Sequence, residues 1–272
     1  MIDFDHGTSV KSCCAGFYEL PAVSMLLGDN LHPGGAALTR KLAAATAIGR
    51  NSKVLDLACG RGESGRVLAA HCGCQVVGLD YSAVNVARAQ RLTREVDLAE
   101  RVSFLSGDAE RLPIGDESVD VVISECSLCT FPNPGKALVE VRRVLRPGGR
   151  IGVSDVTLNA PVPESLQDTF GHVLCITGAR TTWGYHQVLE DAGFTGIRAR
   201  DVGYVLTEML TRIERRVHKL AELAGLEQVS EFVEPTDVKQ KLREARDFVA
   251  SGGVSYALFT ARNPRTGTTR QT

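Results

Sequence analysis

Residues 121–131 read VVISECSLCTF. The apolar run Val121–Ile123 ends in Ser124 and Glu125, and Cys126 and Cys129 follow at once. A thiol at the mouth of a sheet oxidises readily and binds soft ions, so two of them there require an account. The chain carries eight cysteines: Cys13, Cys14, Cys59, Cys72, Cys74, Cys126, Cys129 and Cys175. A disulfide framework belongs to small secreted chains. At 272 residues, with MIDFDHGTSVKS in place of a charged leader and an apolar block, the expectation is a cytoplasmic chain with free thiols. Four readings of Cys126 and Cys129 stand open. They are packing residues, half of a zinc site, a redox pair, or part of a thiol pocket for a soft ligand. Zinc would need a second C-x-x-C or H-x-x-x-H, which the chain does not offer. A redox pair should open a helix, yet Phe131-Pro132 intervenes. A further thiol, Cys175, falls in the link after the next strand.

The second chemical cluster is DLACGRGESG, residues 56–65, where Gly60, Gly62 and Gly65 match G-x-G-x-x-G. Alone, this spacing fits a pyrophosphate on a helix N-terminus, or merely a tight turn. Asp56, four positions before Gly60, favours a cation instead. S-adenosylmethionine carries a sulfonium and an ammonium and no phosphate, and bare glycine backbone lets it lie close. Asp80 ends the following apolar run and Asp108 follows the next, so carboxylates recur at strand ends.

These residues need a scaffold that presents strand ends together. KVLDLA (53–58), QVVGLD (75–80), VSFLSGD (102–108), VDVVISE (119–125) and IGVSDV (151–156) read as strands. Helical patterns alternate with them: 65–72, Ser82 to about Val96, and a helix capped by Asn133-Pro134 that carries Leu138, Val141 and Leu145 and stops at RPGGR. That alternation predicts an α/β, doubly wound, mostly parallel sheet. Beyond a turn-rich link at 158–168, a helix over 186–193 and a strand over 194–202 are expected, then helices over 204–224 and 236–250 and a last strand over 254–262. The reading divides the chain into an N-terminal cap (1–49), a core (50–202), a helical insertion or lid near the C-terminus (203–253), the last core strand (254–262) and a flexible tail (263–272). The insertion offers a lid, a homodimer face, or both. Lys+Arg 31 against Asp+Glu 32 argues against a nucleic-acid partner, and no apolar stretch reaches the roughly 18 residues of a membrane span.

Taken together, VLDLACGRG, VVGLDYS, GDAERLP, DVVISECSL and VRRVLRPGG resemble, in order and spacing, the class I S-adenosylmethionine-dependent methyltransferases. The resemblance implies a Rossmann-like, seven-stranded sheet with an antiparallel last strand and S-adenosyl-L-methionine as cofactor. It also implies roles: Ala58, Gly60 and Gly62 at the methionyl portion with Asp56 near its amino group, Asp80 on the ribose hydroxyls, Tyr81 over the adenine, Asp108 and the Ala109 amide on the adenine edge. Glu125 is assigned to the cationic end of the cofactor. The segments SECSLC and VLCITGARTTWGYHQVLEDAGF further resemble the arsenite methyltransferases, with Cys126 and Cys175 at that family's two core cysteine positions. Cys13 and Cys14 would supply the additional N-terminal thiol, with flanks that depart from the family. Phe17, Tyr18, Phe131 and Trp183 are candidates to roof the pocket, and His32 reads as a hydrogen-bonding loop residue. The implied activity is methyl transfer to arsenite or to a sulfur or selenium nucleophile. Methylation of a quinone or natural product with structural cysteines, or a non-catalytic sensor, stays open.

Overall fold

The computed structural model describes residues 11, 15–16, 18–19, 23, 27, 31–167, 171, 174–224 and 235–264. In chain order the elements are α1 (Gly35–Ala45), β1 (Lys53–Leu57), α2 (Glu63–Cys72), β2 (Gln75–Asp80), α3 (Ala83–Arg94), β3 (Val102–Ser106), β4 (Val119–Glu125), α4 (Pro134–Val144), β5 (Leu145–Leu158), α5 (Thr182–Asp191), β6 (Thr195–Asp201), α6 (Tyr204–Ala224), α7 (Pro235–Ala250) and β7 (Val254–Arg262). The strands form one seven-stranded sheet in the order β3-β2-β1-β4-β5-β7-β6. Only β7 runs antiparallel, pairing with β5 and β6. This is the doubly wound sheet that the alternating pattern predicts.

Alternation along the strands divides the core in two. Val54, Val121 and Ile123 face one side with Leu38 and Leu42 of α1, Leu68 of α2 and the α6–α7 helices. Leu55, Leu57, Val122 and Val153 face the other, against Leu138 and Val141 of α4 and Tyr185 and Leu189 of α5. Both faces being covered explains why β1 and β4 read as nearly continuous apolar runs.

Local signals set the helix starts. The Ser82 hydroxyl accepts from the Asn85 amide at 3.0 Å, and Asn133 Oδ1 accepts from the Lys136 amide at 2.9 Å with Pro134 in the first turn. Thr181 caps α5 through the Gly184 amide at 2.9 Å, so this helix begins earlier than the expected residue 186.

As expected, the helix stops before RPGGR, at Val144 with Leu145 as its C-cap, but the strand expected over 151–156 already begins at Leu145 and takes RPGGR in. The register then shifts, from Val119 opposite Leu145 to Val121 opposite Arg150. Gly148 and Gly149 fall in this irregularity, Gly148 at φ 80°, which glycine takes without strain. Among the described residues no helix is long and apolar enough to cross a membrane. Residues 265–272 of the expected tail lie outside the described residues.

Candidate active site

The strand order reverses between β1 and β4, and the crevice above their C-terminal ends is where such sheets bind ligands. A cleft lies there, enclosing about 1040 Å³ of empty space with its open mouth counted. Its floor is built from strand ends: Asp56, Ala58 and Gly60 after β1, Asp80 and Tyr81 after β2, Asp108 and Ala109 after β3, Glu125 and Cys126 after β4.

The turn after β1 shapes the cofactor end. Ala58 (φ 56°) and Gly60 (φ 52°) take left-handed backbone, and the Gly60 amide donates to Asp80 Oδ2 at 2.8 Å. Asp80 Oδ1 accepts from the Ser82 amide at 2.9 Å. Each oxygen of this carboxylate therefore keeps lone-pair capacity for a further donor. Burial raises the Asp80 pKa, and the two amides pull it partly back.

Gly62 departs from expectation. It does not line the cleft; at φ 72° it is the N-cap of α2, and a Cβ there would meet the Phe104 ring of β3 at 2.4 Å. Packing of the turn on β3 demands glycine there.

Two buried carboxylates face the same end of the cleft. Glu125 Oε2 accepts from Ser64 Oγ at 2.6 Å and Thr39 Oγ1 at 2.9 Å, with His32 Nε2 at 3.7 Å. Glu125 Oε1 and Asp56 Oδ2 are buried without a hydrogen-bond partner. Burial, then the nearby Glu125 charge, pushes the Asp56 pKa well above the usual carboxylate range. Unpartnered buried oxygens of this kind are costly, and a bound cation answers both at once. The ammonium and sulfonium of S-adenosylmethionine fit this donor-poor, carboxylate-rich end. Sequence reading treated His32 as a loop residue and did not single out Thr39 or Ser64. The hydroxyls come from α1 and α2, and only the fold brings them to Glu125.

The end of the cleft at Asp108, where the adenine is expected, is also closed by charge. Lys11 Nζ reaches Asp108 Oδ1 at 2.9 Å, Asp108 Oδ2 at 2.8 Å and Glu110 Oε2 at 3.0 Å. Partial burial pushes the Asp108 carboxyl up, but the Lys11 ammonium and the Glu110 amide outweigh it and hold the pKa below its ordinary value. Tyr81 stands at the rim, 39% exposed.

The cysteines converge. Cys126 (φ 54°) and Cys175 (φ 59°) both adopt left-handed backbone, unusual for a residue with a side chain. Cys175 Sγ lies 3.6 Å from the Cys126 carbonyl oxygen and 3.6 Å from Tyr18 Oη. Gly178 makes this possible: a Cβ there would sit 2.1 Å from the Cys129 carbonyl oxygen, so only glycine lets the 174–179 loop press on the 126–130 turn. Contact with Cys175, then burial, raises the Cys126 and Cys129 pKa values well above the ordinary thiol value, so both thiols are neutral at pH 7. Cys129 is a correction. It is buried and lines neither cavity, and its amide is held by Asp155 Oδ2 at 3.0 Å. Asp155, fully buried at the end of β5, was not foreseen; burial and then Cys175 push its pKa up to about 7. Cys13, Cys14 and Phe17 lie outside the described residues. Tyr18 and Phe131 line the cleft, whereas Trp183 is 61% exposed on α5 and stacks on His186, so it does not roof the site. Among the described residues no group of three or more His, Cys, Asp or Glu side chains is placed to hold a metal ion.

Past Cys126 the cleft meets a second, smaller chamber, about 480 Å³ of empty space with its opening to solvent counted, and Tyr18, Leu31 and Cys126 line both. The methyltransferase-domain family matches residues 48–193, the β1-to-α5 region that carries the cofactor cleft and Cys175. The chain is 36% identical over 154 residues to an arsenite methyltransferase of Halobacterium salinarum, covering 56% of this chain but only 39% of that protein's length. It is 29% identical over 258 residues to 27-O-demethylrifamycin SV methyltransferase of Amycolatopsis mediterranei, covering 89% of this chain and 93% of the other. In fold it is similar to the cyclase SpnF (TM-score 0.75, 24% identity, 97% of this chain and 99% of that one). It is likewise similar to phosphoethanolamine N-methyltransferase 2 of Haemonchus contortus in complex with S-adenosyl-L-methionine (TM-score 0.73, 20% identity, 90% and 56%). The chain belongs to the methyltransferase-domain family and is a class I enzyme whose methyl group comes from S-adenosyl-L-methionine.

Proposed function

We propose that this enzyme methylates a soft nucleophile, a thiol or trivalent arsenic species, presented by Cys126 and Cys175. The observation that carries the reading is their convergence where the cofactor cleft opens into the inner chamber. S-adenosylmethionine supplies an electrophilic methyl carbon, which leaves the rest of the cofactor neutral at sulfur. Asp56 and Glu125 bind that positive charge before transfer and lose it afterwards, which favours release of the product cofactor. Glu125 is assigned to the cofactor and not to a base: Ser64 and Thr39 fix its Oε2 and its unpartnered Oε1 awaits the cation. Neutral thiols suit either soft acceptor. As S–H donors they stabilise a sulfur anion, and toward an arsenic-bound hydroxyl each condenses to an As–S bond with loss of water. Methyl transfer itself needs alignment and exclusion of water, which the buried turn and Tyr18 provide.

A second reading, methylation of an organic hydroxyl, is favoured by the near-full-length similarity to the rifamycin methyltransferase. Incubation with methyl-labelled cofactor and arsenite, sulfide, methanethiol or organic alcohols separates the two. Label is expected on the soft acceptors, and Cys126→Ser and Cys175→Ser should abolish transfer with cofactor affinity retained. Label on alcohols alone, or full activity of both serine variants, would overturn the reading.

A further inference from the structure

The inner chamber is not shaped for a small inorganic oxyacid. Its walls, among the described residues, carry no charged side chain. Leu206, Met209 and Leu210 of α6, Ala245 and Val249 of α7 and Val254 of β7 form the side away from the thiols. The side facing the cofactor cleft presents the Tyr18 hydroxyl, Cys126 and Cys175. Arsenite or hydrogen sulfide seated at those thiols would have aliphatic side chains, and no polar partner among these residues, toward α6 and α7. Hydroxyls turned toward the aliphatic wall would lose hydrogen bonds to water and gain none. An aliphatic lining of this kind is covered favourably only by apolar atoms.

We infer that the natural acceptor is a soft atom bearing an apolar organic group of several carbons, R–SH or R–As(OH)2. The soft atom sits at Cys126 and Cys175, and the R group lies between α6, α7 and β7. This rests on the soft-nucleophile reading above and adds the substrate's other end. For a thiol the step balances simply. The acceptor proton leaves to solvent, the sulfur lone pair forms the new S–CH3 bond, and the sulfonium C–S bond breaks with its electron pair retained by the homocysteine sulfur.

The test is a homologous series from hydrogen sulfide through ethanethiol, butanethiol and hexanethiol to octanethiol. A parallel arm compares arsenite with phenylarsonous acid. kcat/KM should rise about fourfold for each added methylene until the chamber is full, following roughly 0.8 kcal/mol per buried CH2. Phenylarsonous acid should exceed arsenite by at least tenfold. Ala245→Leu, which fills part of the chamber with apolar atoms, should move the optimum to a shorter thiol. Met209→Glu should flatten the series; circular dichroism confirms that each variant is folded. A series that is flat in the wild type, with sulfide or arsenite methylated as well as the long thiols, overturns this inference and leaves the soft-nucleophile reading intact. Transfer to organic alcohols with none to any thiol or arsenical overturns that reading and the inference with it.

Discussion

Asp80 and Asp155 are both buried carboxylates at strand ends, and their surroundings give them opposite uses. Asp80 is tied to two backbone amides of the cofactor turn and opens onto the cleft. Replacing it with Ala should weaken cofactor binding by about 1–3 kcal/mol, the scale of hydrogen bonds to a charged group, read by calorimetry. Asp155 lines neither cavity and holds the amides of Cys129, at 3.0 Å, and Val156, at 2.9 Å. Its pKa is raised in the fold to about 7, so the folded chain holds this proton more tightly than the unfolded one does. The stability it contributes is full below the ordinary carboxylate range, and falls as pH rises through about 7. The slope is about 1.4 kcal/mol per pH unit in that window. Asp155→Asn keeps one carbonyl oxygen and cannot ionise. Relative to wild type it should therefore gain stability between pH 5 and 8 in urea unfolding; parallel pH profiles for the two proteins would contradict this. Sequence reading found Asp80, because a carboxylate ending an apolar run is visible at a glance. Asp155 sits inside IGVSDV and looks like any polar residue of a strand. Its importance comes from the Cys129 turn folding over it, a contact between distant parts of the chain.

At the scale of elements, glycines decide which loops can touch. Gly60 and Gly62 read alike in the sequence and Gly178 was not singled out, yet each answers to a different neighbour. Gly62 is confined by Phe104 of β3 and Gly178 by the Cys129 carbonyl, whereas Gly60 opens to the cleft. The formal G-x-G-x-x-G spacing could not distinguish a residue that meets a ligand from one that meets an aromatic ring, because the ring arrives from another strand. The alternation of strands and helices was legible for the opposite reason: it is set by periodicity within each segment. RPGGR marked the helix stop, but the strand expected from residue 151 starts earlier and absorbs the glycines and proline as an irregularity against β4. Gly178→Ala should force the 174–179 loop off the 126–130 turn and separate Cys175 from Cys126. Methyl transfer to a soft acceptor should fall by at least tenfold with cofactor affinity held within about twofold, since the displaced loop forms none of the cofactor floor. Gly62→Ala should do the reverse. It should lower unfolding stability by about 1–3 kcal/mol through strained backbone and the Phe104 clash, with loss of kcat only in proportion to the folded fraction.

Across the whole molecule, the N-terminal segment ties together what the sheet keeps apart. Lys11 bonds Asp108 and Glu110 after β3, Glu19 accepts from Ser82 Oγ at 2.5 Å beside Asp80, and Tyr18 meets Cys175 where the cleft joins the inner chamber. Arg88 of α3 adds a bond to the Glu19 carbonyl at 3.1 Å. These contacts cross the mouth of one cleft, so a cofactor that enters or leaves must part some of them. The Lys11 contacts bear the most charge, with Lys11 17% and Asp108 36% exposed at the side chain. A partly exposed pair of this kind contributes about 1 kcal/mol, which corresponds to roughly a fivefold change in rate. Lys11→Met should therefore raise the dissociation rate of S-adenosylhomocysteine by about that factor in stopped-flow fluorescence. Raising salt should speed release from the wild type and leave the variant unchanged, because only the wild type has the screened pair to lose. If release is equally fast from both proteins at low salt, the segment does not hold the cofactor in, and turnover is gated elsewhere.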